Sequence, residues 1–73
     1  MQEIFIKTEF IKLNQLLKLA GVLDQGSDIR VMLGEKLIKL NGSIVSERGK
    51  KVRDGDIVEV IGYGKIIVKE KLI

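Results

Sequence analysis

The sequence predicts an α+β fold, with two short helices packed against a small, mostly antiparallel β-sheet, and three observations carry that expectation. The opening MQEIFIK alternates apolar and polar side chains, as a half-buried strand does. Leu13, Leu16, Leu17 and Ala20 then recur at helical spacing. From Leu37 onward, short apolar runs are punctuated by Asn41-Gly42, Asp54-Gly55 and Gly62-Tyr63-Gly64, the pattern of consecutive strands joined by tight turns.

Taken in order, Ile4 and Ile6 set against Glu3, Phe5 and Lys7 define the first strand, and residues 8–10 form a connection. The helical period begins at Ile11, with Asn14 suited to cap the helix, Gln15 and Lys18 on its polar side, and Gly21 placed to end it. Val22 and Leu23 link to a second helix, which Asp24 or Ser27 can cap. Its apolar face is Ile29, Met32 and Leu33, Arg30 points away, and Gly34 with Glu35-Lys36 ends it. Residues 37–40 and 43–46 flank Asn41-Gly42, a pair that favours the positive φ of a two-residue hairpin turn. Asp54, read as the first position of a turn, before its glycine, precedes a strand at 57–60 in which Val58 and Val60 share a face. A last strand spans residues 65–71, after the glycine pair at 62 and 64 breaks or bends the sheet. Helices this short are unstable alone and must pack on the sheet. Residues 1–73 read as a single domain, without repeat, linker or low-complexity tract.

Composition excludes several classes of chemistry. The chain has neither cysteine nor histidine, so there is no disulfide framework, no thiolate metal site and no imidazole base. A reducing, cytoplasmic setting fits that composition. Charged residues interrupt the apolar N-terminus, so no signal core forms, and no apolar run approaches the roughly 20 residues of a membrane span. A soluble chain is expected. The net charge is +3, but residues 36–53 carry six basic side chains against Glu47 alone, a local charge of +5, and the rest sums to −2. A concentrated basic segment points to an anionic partner, although a solvated lysine-rich surface has the same composition.

No constellation for catalysis stands out. Asp54 and Asp56 flank a turn glycine, and Asp24 and Asp28 suit a helix N-terminus, which are ordinary structural uses, although either pair could in principle hold magnesium. Ser27, Ser43 and Ser46 have no histidine to activate them. Binding is better served: lysines supply sequence-independent attraction to phosphate, and Arg30, Arg48 and Arg53 can fork onto it. The aromatics Phe5, Phe10 and Tyr63 are not interleaved with the basic residues, and Phe5 and Phe10 read as core. That favours backbone and shape recognition of folded RNA over base stacking.

Several motifs in order carry a family resemblance. KLNQLLKLAGV, a second helix ending in MLG, KLIKLNG and VRDGDIVEV resemble the RNA-binding domain named after ribosomal protein S-four, the alpha-L RNA-binding motif, over about residues 11–60, flanked by N- and C-terminal strands. TEFIKL, ERGKKVRDGDIVEV and the closing IGYGKIIV are similar to its free-standing, YaaA-type branch. The chain departs from the family pattern with Gln25-Gly26 where Ser-Arg is common, Ile29 where a small alanine is common, and Lys36 where a glycine precedes the hairpin.

The resemblance implies a non-catalytic module without cofactor or metal that docks on structured RNA, ribosomal RNA in subunit maturation or translation being the expected class. Carried over by position, Lys12, Lys18, Arg30, Lys36 and Lys39 become phosphate contacts, and Arg48, Lys50, Lys51 and Arg53 extend the patch. The hairpin is expected to hold Lys39 beside Lys36, with the RGKK loop on the same side. Ribosomal subunit proteins are further expected partners, and a monomer the expected state. The alternative is a protein-interaction adaptor that uses a sheet edge or the apolar residues Ile66, Ile67, Leu72 and Ile73.

Overall fold

The structure, a computed structural model, describes residues 1–24 and 29–71. It has the expected α+β architecture, with two helices on one face of a mixed sheet, and adds a separate two-stranded ribbon. The strands are β1 (Gln2–Ile6), β2 (Phe10–Lys12), β3 (Ile38–Leu40), β4 (Ser43–Ile44), β5 (Lys51–Arg53), β6 (Ile57–Val60) and β7 (Gly64–Glu70). The helices are α1 (Leu13–Leu19) and α2 (Ile29–Gly34).

The main sheet runs β1-β7-β6-β3-β4, antiparallel except where β1 lies parallel to β7. The first and last strands are therefore neighbours, closing the chain on itself. Its inner face carries Ile6, Ile38, Val58, Val60, Ile66 and Val68, all buried, against Leu13, Leu16, Leu17 and Ala20 of α1 and Ile29 and Leu33 of α2. Both predicted helical faces are thus the buried ones, with Met32 half-buried at the margin. No buried side chain is polar or charged among the described residues, so apolar burial carries the fold. In a chain this small without disulfides, truncating a fully buried Leu16 or Leu17 to alanine should cost about 2–5 kcal/mol.

The Asn41-Gly42 turn has φ of 49° and 87°, the positive pair that a primed two-residue turn demands. Asn41 does more than turn the chain. Its backbone N–H donates to the Ile57 carbonyl at 2.8 Å, and its Oδ1 accepts from the Ile57 N–H at 2.9 Å. Its Nδ2 donates to Asp56 Oδ1 at 3.1 Å, while Asp56 Oδ2 accepts the Arg53 N–H at 2.8 Å. The turn of the main sheet is thereby tied to the end of the ribbon.

The fold differs from expectation at several points. Residues 10–12 form β2, not the end of a connection and the start of a helix, and β5 was not anticipated. Asn14 lies inside α1; the N-cap is Lys12, whose side chain makes no capping bond. The N–H groups of Leu13 and Asn14 donate instead to the carbonyls of Lys50 and Arg48, at 2.8 and 3.1 Å, so the loop before β5 closes the helix end. Arg53, not Asp54, occupies the first position of the 53–56 turn, its carbonyl accepting the Asp56 N–H at 3.0 Å. Phe5 is exposed on the outer face of β1, and Phe10 is half-buried at the surface, so neither is core. Ile66 is fully buried and offers no apolar surface, Ile67 is half-buried, and Leu72 and Ile73 lie outside the described residues. Ser27, Asp28 and the Gln25-Gly26 departure also lie outside them.

Candidate nucleic-acid interface

The ribbon carries a concentrated positive face. β2 and β5 pair antiparallel, with Phe10 opposite Arg53, Ile11 opposite Val52, and Lys12 opposite Lys51. Strand alternation sends Ile11 and Val52 into the core and leaves Phe10, Lys12, Lys51 and Arg53 on the outer face. Two lysines directly across a ladder repel, and such a pair is destabilising by itself. Part of that repulsion is offset by the Phe10 ring, which lies 4.8 Å from the Lys51 ammonium and 5.7 Å from the Arg53 guanidinium. An anion seated between the cations would relieve the remainder.

The loop entering β5 extends this face. Glu47, Gly49, Lys50, Lys51 and Arg53 line an open groove of about 370 Å³. Arg48 is exposed in the same loop, whose carbonyls are held by the start of α1. Lys12, Lys50, Lys51 and Arg53 therefore gather at one place, with Arg48 adjoining them in the chain.

The other expected contacts are dispersed. Lys18 is exposed in the last turn of α1, and Arg30 is exposed on α2. Lys36 follows α2 with a φ of 58°, the left-handed conformation. Lys39 does not join the helix side with Lys36. In β3 it alternates with Ile38 and Leu40, whose side the helices cover, and it stands on the outer face between Ile44 of β4 and Glu59 of β6. Glu59 in turn faces Lys65 of β7.

Phe10 is the member of this face that sequence reasoning missed. The available signal was the pair of triplets FIK and KVR, each an outward residue on either side of one buried aliphatic. Tyr63, by contrast, is a strut: its hydroxyl donates to the Ala20 carbonyl at 2.7 Å and lies 2.9 Å from Gln2 Oε1, anchoring the β6–β7 loop to the end of α1.

The acid pairs prove structural where they are described. Asp54 Oδ1 accepts the Glu70 N–H at 2.8 Å, and Asp56 is occupied as given above. Among the described residues no cluster of three or more His, Cys, Asp or Glu could hold a metal, and no helix is long and apolar enough to cross a membrane.

The S4 domain profile matches residues 4–69 of the chain. The chain is also 40% identical over 65 residues to the probable ribosome maturation protein RlbA of Bacillus subtilis (strain 168), an alignment covering 89% of this chain and 92% of that protein.

Proposed function

The chain belongs to the S4 domain family, and on that premise we propose that it is a non-catalytic module that docks on structured RNA, ribosomal RNA during subunit maturation being the target. The observation that carries this reading is the outer face of the ribbon, where Lys12 and Lys51 stand directly opposed beside Arg53 with no acid among the paired residues. That arrangement is unfavourable in the free protein and favourable around a phosphate backbone. The maturation role takes its support from the printed name of the Bacillus subtilis relative. Phosphate contacts would set the docking register, and the shape of the folded RNA would supply selectivity. The protein would work as a cytoplasmic monomer, beside ribosomal subunit proteins.

Salt dependence of binding to a structured ribosomal RNA fragment tests the reading. If Lys12, Lys50, Lys51 and Arg53 meet phosphates, log K should fall linearly with log salt, with a slope of roughly −0.7 to −0.9 per phosphate neutralised. Binding insensitive to salt, or no binding to any rRNA fragment, would overturn it. The adaptor alternative predicts an apolar contact that salt leaves almost unchanged.

A further inference from the structure

A second concavity adjoins the basic groove and is not explained by phosphate binding. It lies between the β3–β4 hairpin and the loop that follows, has a volume of about 250 Å³, and is walled by Leu40, Ile44 and Val45 with Ser43, Ser46 and Glu47 at its edge. Glu47 and Lys50 line both hollows, so the two adjoin. Leu40 is half-buried and Ser43 exposed on the side of the hairpin that faces this hollow. Glu47 is the single acid in residues 36–53, and a carboxylate at the edge of a phosphate groove weakens it.

We propose that this hollow receives the base of one unpaired nucleotide of the bound RNA while the phosphate of that nucleotide lies in the groove beside Lys50, Lys51 and Arg53. This rests on the RNA reading above and adds to it a means of selection. The hollow is smaller than the roughly 300–1,000 Å³ of typical small-molecule sites, which suits a single planar base entering edge-on from an open side. Leu40 and Val45, which share one side of the hairpin, give an apolar surface for the ring, and the Ser43 and Ser46 hydroxyls can donate to or accept from its edge. Glu47 explains itself in this setting: a carboxylate accepts from an exocyclic amino group, so guanine, cytosine or adenine fits better than uracil. Unpaired, splayed nucleotides are the features of folded RNA whose base edges are open to a protein.

The experiment uses the full chain and two RNA probes, a stem-loop with one bulged guanosine and the same stem fully paired. The bulged RNA should bind about tenfold more tightly, the scale of one stacked base. In nitrogen-labelled protein it should shift the backbone amides of residues 43–46. Guanosine monophosphate at high concentration should shift the same amides, and inorganic phosphate only those of residues 49–53. Ser43→Phe, at an exposed site, fills the hollow and should keep the thermal midpoint while bringing the two RNA affinities together, and Glu47→Gln should narrow the advantage of a guanosine over a uridine bulge. Equal affinity for both RNAs with the 43–46 amides unmoved would overturn the base site and leave the RNA reading standing. If neither RNA binds, the RNA reading fails and this inference with it. If the mononucleotide shifts those amides but the bulge confers no advantage, the hollow belongs to free nucleotides and its assignment to RNA is overturned.

Discussion

The outer faces of the two sheets both carry lysines, yet they are built on opposite electrostatic plans. On the main sheet every lysine has an acid within reach: Lys69 pairs with Glu3 at 2.7 Å, and Lys39, Glu59 and Lys65 alternate in sign across three strands. On the ribbon, Lys12 faces Lys51, Arg53 stands two residues on, and the one neighbour that softens their repulsion is an aromatic ring. Cross-strand pairs of opposite charge stabilise a sheet by a few tenths of a kcal/mol to about 1 kcal/mol, and like pairs oppose it by similar amounts. The first face is therefore arranged for stability, and the second, on the function proposed above, for phosphate. A lysine count cannot distinguish them; the ladder register can.

The sharpest way to break this contrast is to reverse charge on the ribbon. Lys51→Glu with Arg53→Glu should weaken binding to structured RNA by on the order of a hundredfold and flatten the salt slope by about two units. The thermal midpoint should move by only a few degrees, because Glu at 51 would face Lys12 as an ion pair while the contact with Phe10 is lost. Retained affinity in a mobility assay would show that the ribbon is not the interface. Next in size is the link between the two regions. Asn41→Ala removes the side-chain bonds to the Ile57 N–H and Asp56 and puts a Cβ residue without a local polar side chain at a φ of 49°, so it should cost about 2 kcal/mol of stability by denaturant unfolding. Asn41→Gly keeps the turn and loses only the bonds, which separates the two contributions. A smaller effect is expected on the main sheet. Lys39→Glu with Lys65→Glu would set three acids in a row and should lower stability by about 1 kcal/mol, with RNA affinity changed no more than about threefold. A loss comparable to the ribbon variant would erase the distinction between the faces.

Much of the fold was legible because its signals are local. The period of Leu13, Leu16, Leu17 and Ala20 needs no partner to be read, and neither does the Asn41-Gly42 turn. The ribbon was not legible in the same way. Each of its strands has three residues, too few to establish a period, and Ile11 fits the start of the helical pattern as well as it fits a strand. Their pairing joins Ile11 to Val52 across most of the chain, and the stacking of Phe10 under Lys51 and Arg53 depends on that non-local register. The placement of Lys39 was within reach. Ile38 and Leu40 flank it with apolar side chains, so alternation alone puts it on the face away from the helices.

Lys36 lies on neither face, and its backbone shows how to place it. Both helices end in the same hydrogen-bond pattern: after α1, the Gly21 N–H donates to Lys18 and the Val22 N–H to Leu17; after α2, the Lys36 N–H donates to Leu33 and the Leu37 N–H to Met32. This motif places the residue after the helix in the left-handed region, where α1 has glycine at a φ of 81° and α2 has lysine at 58°. The lysine is the costlier solution, since a side chain in that conformation is disfavoured by about 1 kcal/mol. Lys36→Gly should therefore raise stability by roughly 0.5–1 kcal/mol, a midpoint gain of a few degrees in a domain of this size. If the ammonium meets RNA, as the family resemblance implies, the same substitution should weaken binding a few-fold and reduce the salt slope by about one unit. Stabilisation with unchanged RNA affinity would instead group Lys36 with the lysines of the main sheet, and a loss of stability would show that α2 does not end in the motif that α1 uses.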